Sequence, residues 1–129
     1  MEIDRKHFLL LAAAGLAGCA LVGGSPAEPG VVDAGPVEKY AADGVYSDFR
    51  RRGFFLIRQR GRLFALSSVC THRRCRVTPE SNRTFTCDCH GSTFDADGHV
   101  TMGPATRDLP VYFSHSTEGG RLLVTIPAA

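Results

Sequence analysis

The sequence predicts a small all-β domain over most of its 129 residues. Three observations carry that expectation. Two pairs of apolar runs, rich in aromatic and β-branched residues, face each other across glycine-bearing turns, as hairpin strands do. Shorter runs of the same composition lie between the pairs. No segment after Val31 keeps a helical apolar period over a useful length.

In chain order, Phe54-Phe55-Leu56-Ile57 and Leu63-Phe64-Ala65-Leu66 flank Gln59-Arg60-Gly61-Arg62, a hairpin turning at the glycine. Thr84-Phe85-Thr86 and Ser92-Thr93-Phe94 are the short central runs, and Asp95-Ala96-Asp97-Gly98 has the composition of a turn. Val111-Tyr112-Phe113 and Leu122-Leu123-Val124-Thr125-Ile126, separated by Ser116-Thr117-Glu118-Gly119-Gly120, form a second hairpin. Tyr40, Tyr46 and Tyr112 read as packing residues, His99 and His115 as turn or strand residues, and Arg50-Arg51-Arg52 as a solvated face. The domain is expected to occupy residues 31–127.

A chain of 129 residues admits one such domain. Its core is modest, so a metal or a disulfide would contribute noticeably to stability. A net charge of +2, without an extended basic run, argues against a nucleic-acid groove.

Residues 1–18 have the layout of an export signal: Arg5-Lys6, an apolar run from Phe8 to Ala17, then small residues. Leu16-Ala17-Gly18-Cys19 resembles a bacterial lipobox, which would make Cys19 the lipidated first residue of the mature chain. Asp4-Arg5-Lys6-His7-Phe8-Leu9 resembles a twin-arginine export motif in which Lys6 replaces the second arginine. The apolar stretch from Phe8 to Val22 is shorter than the ~20 residues a spanning helix needs. Residues 19–30 are small and rich in Pro and Gly, as a flexible tether is. At ~3.3 Å per residue, the segment from Cys19 to Val31 reaches about 40 Å at most. The expected location is the periplasmic or cell-surface side of a bacterial membrane, held by lipid.

Apart from Cys19, the chain has four cysteines, in two boxes that each also hold a histidine: Cys70-Thr71-His72-Arg73-Arg74-Cys75 and Cys87-Asp88-Cys89-His90-Gly91-Ser92. Several chemistries use such residues. Zinc takes four ligands in a tetrahedron and would leave two of the six groups over; neither box has the C-x-x-C spacing of zinc fingers. Two structural disulfides suit an exported chain but leave the recurring histidines unexplained. A cysteine nucleophile with a histidine base needs one thiol, and no Asn or Asp orienter is evident. A binuclear iron–sulfur cluster with mixed ligands takes two thiolates and two imidazoles, leaving two cysteines to pair.

The boxes resemble those of the Rieske iron–sulfur proteins, which read C-T-H-x-G-C and C-P-C-H-G-S. Ala65-Leu66-Ser67 before the first box, Phe94-Asp95-Ala96-Asp97-Gly98 after the second, and Gly103-Pro104-Ala105 with Leu109-Pro110 extend the resemblance, which covers roughly Val31 to Ile126. It implies a Rieske fold: small antiparallel sheets with a cluster-binding subdomain of two loops. It also implies one 2Fe–2S cluster, with Cys70 and Cys87 on one iron and His72 and His90 on the other, and a disulfide between Cys75 and Cys89. The subgroup with that disulfide is the one found in cytochrome bc-type complexes and arsenite-oxidase small subunits. The implied function is one-electron transfer in an exported, membrane-tethered protein with no catalytic pocket of its own. The alternative is the Rieske subunit of a quinol–cytochrome c reductase or of an arsenite-oxidase-like complex.

The chemistry suits the residues. Neutral imidazoles in place of two thiolates leave the oxidised cluster formally uncharged, so an added electron is accepted more readily. The resemblance gives Ser92 a hydrogen bond to cluster sulfur. Where relatives have a tyrosine as second donor, this chain has Phe94, which lacks the hydroxyl, so its potential is expected to lie below theirs. The first box departs further, with Arg73-Arg74 where relatives have an apolar residue and glycine. Two guanidinium groups suit an acidic, soluble redox partner, such as a cytochrome or a copper protein, better than an apolar quinol pocket. Loss of the glycine puts the loop's backbone shape in question. An exported protein can keep the disulfide, and a twin-arginine route carries folded proteins.

Overall fold

The computed structural model describes residues 29–72 and 74–128. Among the described residues the strands are β1 (Gly30–Pro36), β2 (Gly44–Tyr46), β3 (Phe54–Gln59), β4 (Arg62–Ser67), β5 (Val77–Pro79), β6 (Phe85–Cys87), β7 (Thr93–Phe94), β8 (Val100–Met102), β9 (Val111–Ser116) and β10 (Arg121–Ile126). They form a six-stranded sheet in the order β1-β10-β9-β4-β3-β2 and a four-stranded sheet in the order β5-β6-β7-β8. Every pairing is antiparallel. Helix among the described residues is limited to single 3-10 turns at Val37–Tyr40 and Arg50–Arg52. None of it is long and apolar enough to cross a membrane.

The β3–β4 hairpin is the spine of the molecule. Phe54 pairs with Ser67 and Gln59 with Arg62, which leaves Arg60-Gly61 as a two-residue turn. Both turn residues have positive φ, 51° and 77°, the backbone that matches the right-handed twist of a hairpin. The turn is therefore tighter than the four-residue stretch the sequence suggests.

Strand β3 is an unbroken apolar run because both its faces are covered. Successive side chains point to opposite faces of a strand. Phe54 and Leu56 enter one core with Val32, Ala34, Tyr40, Ala65, Tyr112, Leu122, Val124 and Ile126. Phe55 and Ile57 enter a second core with Phe64, Leu66, Cys70, Val77, Phe85, Cys87 and Phe94. The first core stabilises the large sheet, and the second fixes the small sheet against it. Phe55 and Phe85, with ring centroids 5.1 Å apart, are the aromatic contact across that junction. The tyrosines pack as expected and also satisfy their hydroxyls: Tyr40 donates to the Ala34 carbonyl at 2.6 Å and Tyr112 to Ser67 Oγ at 3.3 Å.

The strands absent from the sequence reading are β1, β2, β5 and β8. The last three have three residues each, and β5 ends in proline, which suits its place on a sheet edge. At the other boundary of the fold, Gly30 pairs with Ile126, so the start of β1 lies beside the end of β10.

Candidate metal centre

Two loops carry the cysteine–histidine boxes, one between β4 and β5 and one between β6 and β7. Each loop folds back onto its first cysteine. In the first, Cys70 N–H donates to the Cys75 carbonyl at 2.6 Å, Arg74 N–H to the Cys70 carbonyl at 2.9 Å, and a bridge joins Val69 to Arg76. In the second, Cys87 N–H donates to the Ser92 carbonyl at 2.8 Å and Gly91 N–H to the Cys87 carbonyl at 3.2 Å. The loops are tied together by the Cys75–Cys89 disulfide, whose Cα atoms are 6.2 Å apart.

The missing glycine of the first box has an answer in the backbone. Arg74 adopts φ 63°, the left-handed region that glycine enters without penalty. The loop turns there with an arginine in place, at a steric cost of about 1–2 kcal/mol.

The four remaining groups sort into an inner and an outer pair. Cys70 and Cys87 are 1% and 2% exposed, lie in the same apolar cluster and are outside any disulfide. His90 is exposed and His72 half-buried, and their rings meet edge to face with centroids 5.1 Å apart. His72 N–H also donates to Cys70 Sγ at 3.4 Å, a contact that stabilises negative charge on the sulfur. Among the described residues no three His, Cys, Asp or Glu side chains converge as ligands of a single ion.

This set fits a binuclear cluster held by two thiolates and two imidazoles. The buried Nδ1 of His72 has no hydrogen-bond partner. Such an atom costs about 1–3 kcal/mol when left unsatisfied, and ligation would satisfy it. The protein makes the pocket for the sulfur side apolar and leaves the imidazole side toward solvent.

A third segment, residues 103–110, closes over both boxes. A Cβ on Gly103 would lie 2.4 Å from Ser92 Cα, so only glycine permits this approach. Ser92 is fully buried, and its Oγ accepts a hydrogen bond from Ala105 N–H at 3.0 Å. Its own O–H proton therefore remains to be donated elsewhere. On the other box, Thr71 Oγ donates to the Arg107 carbonyl at 2.7 Å. Phe94 is fully buried in the core beneath, and no hydroxyl is available there.

The far end of that segment is pinned electrostatically. His99 Nδ1 meets Asp108 Oδ2 at 2.9 Å, and Val100 N–H donates to Asp108 Oδ1 at 2.9 Å. The Asp108 hydrogen bond and charge, with Asp95 and Asp97 adding to them, hold His99 above its ordinary value. The His99 hydrogen bond, then the Val100 amide, hold Asp108 below the usual carboxylate value. His115 lies on β9 with its ring 5.5 Å from that of Phe113.

One expectation is corrected here. Arg50 is no part of a solvated face. Its Nε donates to the Val77 carbonyl at 2.8 Å, and its Nη2 to Thr78 Oγ at 3.3 Å and Asp88 Oδ2 at 3.0 Å. Thr78 Oγ donates in turn to Asp88 Oδ1 at 2.6 Å, so the arginine staples β5 to the second box. Sequence reasoning missed this role, and it named Thr71 and Ala105 within motifs without foreseeing their contacts. Each works through a main-chain atom or a partner far along the chain, and neither leaves a compositional signal. Residues 1–18, Cys19 and Arg73 lie outside the described residues.

Comparison with known proteins places the geometry in context. Residues 31–113 match the family model described as the Rieske [2Fe-2S] domain. The cytochrome b6-f complex iron-sulfur subunit of Synechococcus elongatus is 40% identical over 63 residues, which cover 48% of this chain and 35% of that subunit. The corresponding chloroplastic subunit of Bigelowiella natans is 38% identical over 64 residues, covering 48% of this chain and 25% of the relative. The matches thus span about a third or less of these curated relatives. The crystal structure of the cyanobacterial plasma membrane Rieske protein PetC3 from Synechocystis PCC 6803 has a TM-score of 0.56 at 32% identity, covering 74% of this chain and 99% of that one. Naphthalene 1,2-dioxygenase, at a TM-score of 0.58 and 18% identity, shares the fold.

Proposed function

The chain belongs to the Rieske [2Fe-2S] family and carries one such cluster; from that premise we propose that it transfers electrons, with Cys70 and Cys87 binding one iron and His72 and His90 the other. The observation that carries the ligand assignment is the unpartnered, buried Nδ1 of His72 beside His90, above two buried cysteines that the disulfide leaves out. Such a cluster supplies reversible one-electron chemistry near neutral charge. The residues around it do the rest. The apolar cluster of Phe55, Phe85 and Phe94 excludes water from the sulfur side. The disulfide and Arg50 hold the loops at fixed separation. Ser92 offers its hydroxyl proton inward, and the histidines, on the outer side, offer ring nitrogens through which an electron can leave and a proton can bind.

Electron paramagnetic resonance of the dithionite-reduced protein tests this. A rhombic signal of Rieske type is expected, and Cys70→Ala and His90→Ala should each abolish it together with the bound iron. A folded protein that binds zinc and gives no signal on reduction would remove the assignment.

Residues 1–18 act in this reading as an export signal, and Cys19 receives lipid that tethers residues 31–127 to the outer face of a bacterial membrane through residues 19–30. The lipobox-like Leu16-Ala17-Gly18-Cys19 supports it. Intact-mass analysis of the membrane-extracted protein should show a lipid-modified Cys19, and Cys19→Ser should release the protein in soluble form. A second reading makes this chain the Rieske subunit of a quinol–cytochrome c reductase or an arsenite-oxidase-like complex. The relatives named as cytochrome b6-f subunits favour it. Co-purification of a cytochrome b or of a molybdoenzyme subunit from native membranes would select between these.

A further inference from the structure

We infer that the histidine-bearing end of the molecule docks an acidic redox protein, with Arg74 and Arg107 gripping it beside the first loop and Arg51 and Arg76 beside the second. This rests on the cluster assignment above and names the partner's chemistry.

The arginines lie beside both boxes. Arg74 and Arg107 are exposed and border a cleft of about 210 Å³ whose wall includes Cys70 and Thr71. Arg107 Nη2 donates to the Thr71 carbonyl at 3.4 Å, so it is held next to the residue that precedes His72. By the second box, Arg76 Nη2 donates to the Arg51 carbonyl at 2.6 Å, while Asp88 N–H donates to the Arg76 carbonyl at 3.3 Å. Arg51 is exposed.

The acids on the same loops already have partners of their own. Among the described residues of the three loops, 68–76, 87–92 and 103–110, the acids are Asp88 and Asp108. Asp88 is engaged by Arg50 and Thr78, and Asp108 by His99 and the Val100 amide. Burial is the main reason that Arg76 lies below the ordinary guanidinium value, with Arg50 and then Arg51 adding to it.

A surface of this kind is suited to carboxylates. Guanidinium groups bind them in bidentate fashion, and a one-signed rim around an electron exit steers an oppositely charged partner by about 10- to 1,000-fold in rate at low salt. Burying Arg74 and Arg107 in an apolar pocket would instead strip their hydration without compensation.

The test uses the full, cluster-loaded protein. Its reduced form is oxidised in stopped flow by hexacyanoferrate(III), an anion, and by tris(phenanthroline)cobalt(III), a cation. At low ionic strength Arg107→Glu should slow the anionic oxidant about tenfold and speed the cationic one. Arg74→Gly should change both rates in the same directions by a smaller factor, and its backbone at φ 63° is one that glycine adopts without penalty. Arg107→Gln serves if the glutamate variant fails to load. Arg62→Glu, an equal charge change at the opposite end of β4, should alter either rate less than twofold. Poly-L-glutamate should compete with hexacyanoferrate, and poly-L-lysine should not.

Equal effects from Arg62→Glu and Arg107→Glu would overturn the docking surface, leaving only net charge. Arginine-dependent binding to phosphatidylglycerol vesicles with no effect of polyglutamate would also overturn it, assigning the rim to lipid. Absence of any reducible centre would instead defeat the cluster assignment, a distinct failure visible before any rate is measured.

Discussion

The two sheets are built on different terms. The large sheet has strands of six or seven residues at β1, β3, β4, β9 and β10, and its inward positions alternate along β10 as Leu122, Val124 and Ile126. Hydrophobic burial is its main support, with the Asp33–Arg121 pair joining β1 to β10. The small sheet has strands of two or three residues, and β7 is only Thr93-Phe94. Isolated strands this short are marginal, so besides its apolar core it leans on cross-links: the Cys75–Cys89 disulfide, the Arg50 staple and the Ala105–Ser92 contact. The sheet that carries the two cysteine–histidine boxes has the shorter strands and the larger share of specific side-chain bonds.

The contrast can be broken first at its joint. Phe85 is fully buried against Phe55, and Phe85→Ala is expected to lower the unfolding free energy by about 3–5 kcal/mol in denaturant titration. Amide exchange should then accelerate in β5–β8 before β3 and β4; simultaneous loss across both sheets would mean they form one cooperative unit.

Next is the disulfide. Cys75→Ser is expected to destabilise the fold by about 2–4 kcal/mol. The loss should appear as faster exchange of the Arg74 and Gly91 amides, with β1 and β10 little changed. An unchanged loop would show that the remaining bonds suffice.

Arg74→Gly works in the opposite direction. Removing the left-handed strain should stabilise the protein, by about 1 kcal/mol. A destabilised variant would mean that the guanidinium makes contacts outweighing the strain.

Phe94→Tyr probes function and leaves the packing largely alone. A hydroxyl at this fully buried position should raise the reduction potential measured by protein-film voltammetry. An unchanged or lowered potential would remove Phe94 from the set of tuning residues.

The smallest effect is the pH response of the His99–Asp108 pin. His99 is raised in the fold, so its contribution is complete below about pH 6.5 and fades as pH climbs through the raised value. Asp108 is lowered, so its contribution is present above about pH 3.9 and fades as pH falls through the lowered value. The pin is tightest between these limits. Proton NMR should show His99 titrating nearer its ordinary value in Asp108→Asn, and no movement would refute the pairing.

These regions also differ in how readable they are from sequence. The β3–β4 and β9–β10 hairpins announce themselves because their apolar runs and glycine turns are local. Strand β5, Val77-Thr78-Pro79, does not, since its strand character comes from pairing with Phe85–Cys87 and not from its own composition. The reverse holds for chemistry. The rare residue types of the two boxes stand out in the sequence, whereas their supports do not. Arg50 reaches Asp88 across 38 positions, and Thr71 meets the Arg107 carbonyl, an atom every residue has. Arg74 shows a third case: the sequence exposes the missing glycine, but only the backbone shows that the turn persists without it.

The pairing of Gly30 with Ile126 has a consequence for attachment. Pro127 and Ala128, which follow Ile126, line the same cleft as Cys70 and Thr71. The chain therefore enters the fold on the side of the redox loops. Any chain preceding Gly30 would be joined to the fold beside the redox loops, at the opposite end of β10 from Arg121.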